Sequence, residues 1–226
     1  MLVIINDVLT GEELAAMRSQ LASADWAQGV SAGPQARLAK RNLQLPEDSP
    51  QLKDLRITVM RALNRSTLLL SAALPFKILP PNFNRYTGDT NRYGMHTDST
   101  LRPLPDGSYL RTDVSATLFL SGPEEYDGGE LRIEDTYGLQ TVKLRAGSMV
   151  VYPSGSMHEV TPVTRGERLG CYMFMQSLVK HTEDRRALFE MDKALMGLRQ
   201  SYGEEDANII RLTGLYNNLV RRWSEC

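Results

Sequence analysis

The chain has 226 residues, 42% hydrophobic and 23% charged, which is enough to bury a sizeable core in one main domain with additions. Its 26 lysines and arginines stand against 27 acidic residues, so no broad cationic field draws it to phosphate backbones, and nucleic acid is excluded as the default partner. Two cysteines, Cys171 and Cys226, are too few and too far apart for a disulfide scaffold or a thiolate zinc site, and the opening "MLVIINDVLT" lacks a basic region and is interrupted at Asn6 and Asp7. The expectation is a soluble cytoplasmic protein with no membrane segment.

Thr10 followed three residues later by Glu13 is a capping-box pattern, and Leu14, Met17 and Leu21 then recur at helical spacing, which predicts an amphipathic helix. Residues 30–50, rich in Pro, Gly, Ala and Gln, read as a loop. After Ser49-Pro50, "QLKDLRITVMRALNRSTLLLSAAL" places Leu52, Leu55, Val59, Met60 and Leu63 on one face and reads as a second helix. An N-terminal helical segment, 1–77, thus precedes a core spanning 78–178.

In that core the texture changes. Runs of β-formers, "DVSATLFLS", "GGELRIED", "LQTVKL", "SMVVYP" and "RLGCYMFMQS", are separated by the turn segments "GPEEYDGG", "TYG", "RAG" and "TRGE". Their spacing is that of an all-β sandwich or barrel. "EDRRALFEMDKALMGLRQ" and "EEDANIIRLTGLYNNLVRRW" give two more amphipathic helices in a C-terminal helical segment, 179–226, so the fold class is a mainly β core with flanking helices. Four such helices exceed the cover one small β core needs, so self-association into a homo-oligomer is expected.

Only three histidines occur, and two sit at strand ends: His96 within "YGMHTDST", and His158 after "SMVVYPSGSM". Asp98 lies two positions beyond His96, and residues two apart in an extended chain point to the same side. Two imidazoles and one carboxylate so arranged are the ligands of a facial triad, which leaves positions on Fe(II) open for substrate and oxygen. Taken alone, His-x-Asp also fits an ordinary polar turn. Arg168, ten residues after His158, opens a strand whose alternation puts Arg168, Gly170, Tyr172 and Phe174 on one face and Leu169, Cys171, Met173 and Met175 on the other. An inward guanidinium needs an anion, and its fork suits the far carboxylate of a dicarboxylate chelating the metal; an outward one is a surface residue.

Other features carry less. "PEEYDGGEL" lacks an ordered calcium-ligand pattern, "CYMFMQ" reads as core packing rather than a soft-metal strand, and His181 reads as a cap neighbour or surface residue.

The order His96-x-Asp98, His158, Arg168 resembles the iron(II)- and 2-oxoglutarate-dependent dioxygenases of the prolyl-hydroxylase class. "NRYTGDTNRYGMHTDST", "LFLSGPEEYDGGELRI" and "VVYPSGSMHEVTPVTRGER" are more closely similar to the bacterial PKHD-type hydroxylases, also known as PiuC-like iron-uptake factors. The resemblance covers nearly the whole chain. It implies a double-stranded β-helix (jelly-roll, cupin-like), with Fe(II) on His96, Asp98 and His158, 2-oxoglutarate on Arg168, and Tyr86 as a residue supporting the cosubstrate. It also implies O2 as cosubstrate, L-ascorbate as reductant, and hydroxylation of a peptidyl or small-molecule substrate, the latter linked to iron uptake. Arg168 stands where prolyl hydroxylases often carry lysine. The alternative of another class is a non-catalytic iron- or 2-oxoglutarate-binding sensor acting through a protein partner; halogenase-like chemistry requires the carboxylate ligand to be absent, and Asp98 is present.

Overall fold

The computed structural model describes residues 1–30, 39–104, 106–136 and 138–225. Cys226, Tyr137 of the "TYG" turn and residues 31–38 of the expected loop lie outside the described residues.

The first helix, Gly11–Ala22, starts as the sequence predicts. The Thr10 hydroxyl accepts from the Glu13 amide at 3.2 Å, and the Glu13 carboxylate accepts from the Thr10 amide at 2.9 Å, which satisfies two otherwise orphaned donors. The second helix, Leu52–Arg65, buries Leu52, Leu55, Val59 and Leu63. It does not run on to Leu74 as the apolar pattern suggests. Ser66 leaves the helical conformation and uses its side chain to accept from the Leu69 amide, so a separate helix, Thr67–Ala73, begins. A serine hydroxyl competing for backbone donors favours such a cap over a helix interior. The C-terminal helices Thr182–Tyr202 and Ala207–Trp223 pack on one another, the second capped by the Asp206 carboxylate. Among the described residues, no helix is long and apolar enough to cross a membrane.

Two antiparallel sheets form the core. The larger runs Val3–Ile5, Met149–Pro153, Val114–Phe119, Arg168–Ser177, Asn82–Tyr86, Leu43–Gln44, Ala27–Gln28, with Pro75–Ile78 also paired to Arg168–Ser177. The smaller runs Gly138–Val142, Leu131–Asp135, His158–Val160, Arg92–His96, Lys40–Arg41. One face of the large sheet, carrying Ala116, Leu118, Met149, Val151, Leu169, Cys171, Met173 and Met175, packs against Met17, Leu21, Leu55, Val59 and Leu63 of the helices. The other face supplies Tyr86, Phe119, Val150 and Tyr152 to a second cluster with Leu131, Ile133 and Val160 of the small sheet. Helices on one side and a sheet on the other explain why "SMVVYP" is a continuous apolar run, since alternation is lost where both faces are buried.

Three local expectations are corrected. Within 30–50, Lys40–Arg41 pairs with Arg92–His96, and Leu43–Gln44 with Asn82–Tyr86, although Lys, Arg and Gln carry no strand signal of their own. The zone expected to be helical therefore also supplies strands. The segments read as the turns "GPEEYDGG" and "TRGE" overlap the strands Tyr126–Gly128 and Val163–Gly166, which pair with each other. Gly128 and Gly166 permit this close approach at φ +70° and +73°, where a Cβ would fall 2.0 and 2.1 Å from the carbonyl oxygens of Pro162 and Glu125.

Candidate metal centre and its pocket

A cavity of about 430 Å³ opens between the two sheets. Strand Val114–Phe119 is wholly buried, yet it carries a polar stripe. Val114, Ala116 and Leu118 join the helix-side core, and Ser115 and Thr117 line the cavity. Asn84 and Tyr86 reach the same space from Asn82–Tyr86, and Arg168, Tyr172 and Phe174 from Arg168–Ser177, as the sequence alternation predicts.

His96 ends the strand Arg92–His96, Asp98 follows it on the same side, and His158 opens the neighbouring strand in direct register with His96. One ligand atom from each of the three lies within 4.8 Å of the others; among the described residues this is the one such group of His, Cys, Asp or Glu. Each histidine is oriented by its own backbone: Nδ1 of His96 lies 2.8 Å from the Gly94 carbonyl and Nδ1 of His158 lies 2.9 Å from that of Ser156. Both Nδ1 atoms donate, which leaves each Nε2 lone pair available to a metal. Burial, with His158 alongside, holds the His96 imidazole down to about 4, so the ring is neutral at physiological pH. The Tyr93 ring stacks on His96 with centroids 3.6 Å apart, and Tyr152 meets His158 edge-on at 5.1 Å. Ser115 donates to Asp98 Oδ2 at 2.6 Å and is itself 2.7 Å from the Ser154 hydroxyl, so the carboxylate is fixed from behind.

Arg168 lies at the closed end of the cavity, only 1% exposed. It is the direct cross-strand partner of Tyr86, and its guanidinium carbon lies 5.2 Å from the Tyr86 ring and 5.1 Å from that of Phe119. Among the described residues, none of the three guanidinium nitrogens makes a hydrogen bond of normal geometry and no carboxylate pairs with them; the Tyr126 phenol, a neutral group, lies near enough to interact. Burial raises the phenols of Tyr86 and Tyr126, and the charge of Arg168 opposes that shift in both. Gly170 gives the guanidinium room, since a Cβ there would stand 3.3 Å from Arg168 Nη1 and 2.9 Å from Asn84 Oδ1. A buried cation without a partner costs several kcal/mol unless an anion joins it.

All five residues singled out in the sequence, Tyr86, His96, Asp98, His158 and Arg168, line this one cavity. Sequence reasoning missed Tyr93, Ser115 and Tyr152, and also Lys40 and Arg102, which lie on the same wall. Ser115 and Thr117 were legible as polar positions alternating inside a buried strand, whereas nothing local marks Lys40 or Arg102. The weaker candidates fall away. His181 is an exposed residue at the N-cap of Thr182–Tyr202 without a capping bond, and Cys171, Met173 and Met175 are core. Asp127 of "PEEYDGGEL" pairs with Arg165 and Glu125 with Arg18.

Two imidazoles and a carboxylate at one end of a double-stranded β-helix define a class, the 2-oxoglutarate- and Fe(II)-dependent oxygenases. The family profile described as the 2OG-Fe(II) oxygenase superfamily matches residues 81–176, and that of the PKHD-type hydroxylase C-terminal domain matches 183–225. A PKHD-type hydroxylase of Nitrosomonas europaea is 60% identical over 227 aligned positions, covering 100% of both chains. The chain belongs to the PKHD-type hydroxylases, and is thereby an enzyme that uses Fe(II) and 2-oxoglutarate. Among solved structures, a Pseudomonas putida prolyl-4-hydroxylase superposes with TM-score 0.51 at 22% identity over 77% of this chain and 92% of its own. HygX from Streptomyces hygroscopicus, solved with nickel and 2-oxoglutarate bound, gives TM-score 0.50 at 19% identity over 78% and 82%. These two likenesses concern the fold.

Proposed function

We propose that His96, Asp98 and His158 hold the Fe(II), that Arg168 binds the distal carboxylate of 2-oxoglutarate, and that the enzyme couples decarboxylation of that cosubstrate to hydroxylation of a second molecule. The observation that carries this reading is the position of Arg168. A fully buried guanidinium with no anionic partner among the described residues closes the same cavity whose other residues include two imidazoles and a carboxylate. A dianionic cosubstrate reaching from the metal to that end satisfies both, since the fork accepts one carboxylate bidentately.

When bound, the iron supplies the activation of O2 and the oxidation, with L-ascorbate as the reductant that keeps it ferrous. The chain's residues position and exclude. The Gly94 and Ser156 carbonyls fix the two imidazoles, Ser115 fixes the carboxylate, and Tyr86 and Phe119 flank the guanidinium that orients the cosubstrate. The apolar wall of Leu131, Val160 and Tyr152 keeps water from the closed side. The resemblance to iron-uptake factors supports a cytoplasmic role in iron homeostasis. The test is release of succinate from 2-oxoglutarate with Fe(II) and ascorbate, alongside a mass search for a +16 product in cell extract. Protein that releases no succinate, with or without extract, refutes the reading.

A further inference from the structure

The charge of the cavity does not balance. Among the described residues, its charged lining is Lys40, Arg102 and Arg168 against the single carboxylate of Asp98. Fe(II) and 2-oxoglutarate carry opposite double charges, so loading the site as proposed above leaves the excess of two positive charges in place. Arg168 lies at the closed end, while Lys40 and Arg102 are half-buried and sit toward solvent.

Neither Lys40 nor Arg102 forms an ion pair among the described residues. Lys40 Nζ donates to the Val30 carbonyl at 2.9 Å and stands 5.3 Å from the Tyr93 ring centroid and 6.0 Å from that of Tyr172. The Arg102 guanidinium lies 4.7 Å over Phe174, and its buried Nε has no partner among the described residues. Tyr172 and Phe174 meet edge-on at 5.9 Å, and Tyr93 is the ring stacked on His96. The two cations thus border an aromatic wall that leads to the metal ligands from the open side. Burial and the charge of Arg102 press the Lys40 ammonium down to about 8, as two like charges sharing a partly dry wall require.

We infer that Lys40 and Arg102 recognise the molecule that is hydroxylated, and that this substrate carries an oxyanion, carboxylate or phosphate, beside a flat apolar group that lies along Tyr93, Tyr172 and Phe174. The inference rests on the assignment of Arg168 to the cosubstrate and of the triad to iron. An oxyanion between the two cations offsets the excess charge, in part as a carboxylate and fully as a phosphate dianion, and offers an acceptor to Arg102.

The test uses full-length protein loaded with Mn(II) and 2-oxoglutarate without oxygen, and measures by calorimetry the binding of phenylacetate, phenyl phosphate and the uncharged phenylacetamide. One or both acids should bind at least about tenfold tighter than the amide. Lys40→Met with Arg102→Met should abolish that preference while the Kd values for Mn(II) and 2-oxoglutarate stay within about threefold of wild type; Lys40→Arg, which keeps the charge, should retain it. Equal binding of acid and amide, no acid binding at millimolar concentration, or a preference that survives in the double variant overturns the inference. So does a collapse of 2-oxoglutarate affinity in the double variant, which would assign the pair to the cosubstrate. Wild-type protein that takes up neither Mn(II) nor 2-oxoglutarate overturns the underlying reading as well, and the loading step reveals this before any probe is added.

Discussion

His96 and His158 face each other across paired antiparallel strands with ring centroids 4.2 Å apart, and each is held through Nδ1 by the carbonyl two residues before it. The register of one strand pair, together with two local backbone contacts, therefore builds most of the candidate metal site. What it lacks is charge, and Asp98 brings that. Asp98→Ala should weaken iron binding and abolish hydroxylation, because the site loses both a ligand and the negative charge that offsets Fe(II). Ser115→Ala, which removes the 2.6 Å bond to Asp98 Oδ2, should lower metal affinity by about tenfold to a hundredfold with the ligands intact. Metal titration and succinate release measure both, and full turnover by Asp98→Ala is the result that would end the triad assignment.

Arg168→Ala should leave iron affinity nearly intact and raise the apparent KM for 2-oxoglutarate by about tenfold to several hundredfold, since hydrogen bonds to charged groups contribute about 1.5–3 kcal/mol each. Arg168→Lys should recover part of the loss, because the charge remains and the fork does not. Stability gives an independent readout. Arg168→Met should raise the Tm of the cosubstrate-free protein while destroying its affinity for 2-oxoglutarate, because a buried cation without a partner is replaced by an apolar side chain of similar length. A titration indistinguishable from wild type would leave Arg168 a structural residue.

Gly170 tests the room around that guanidinium. In Gly170→Ala the new Cβ would stand 2.9 Å from Asn84 Oδ1 and 3.3 Å from Arg168 Nη1, so one or both must shift. The expected signature is a rise in KM for 2-oxoglutarate of a few-fold or more, with iron affinity unchanged. Equal loss of both affinities would point instead to a general disturbance of the sheet.

Acid stability should depend on Glu13, whose carboxyl is held down at about 2, chiefly by the Arg65 guanidinium that hydrogen-bonds it. Because the folded value lies below the ordinary 4.5, the stabilisation is fully present above about pH 4.5 and is lost as pH falls from there toward 2. Glu13→Gln should therefore cost stability at pH 7, by about 1 kcal/mol or less since the pair is partly solvated, and the cost should shrink as pH falls from about 4.5 through about 2. Denaturant melts of both proteins across that range check the convergence; a gap that does not narrow as pH falls toward 2 would mean that packing rather than charge is at work.

The first helix needed only Thr10 and Glu13 in the right order, because a capping box is closed within four residues. The inward face of Arg168–Ser177 followed equally from alternation, and His96, Asp98, His158 and Arg168 were recognisable as residue types and spacings suited to chelating a metal and holding a dicarboxylate. Those features are local, or depend on a period that the chain carries with it. Whether the four side chains converge on one cavity was a matter of sheet register, which pairs His158 with His96 and Arg168 with Tyr86 across long sequence separations. Non-local pairing also turned Lys40–Arg41 into a strand against its composition and Val163–Gly166 into one across a segment read as a turn, and placed Lys40 and Arg102 beside Tyr93 and Phe174. Polar residues such as these have no periodic signal, since their position is fixed by the backbone bonds of their neighbours and not by burial of their own side chains. The chemistry of the site was thus written in residue types, while the cationic wall facing its open side existed only once the sheets were assembled.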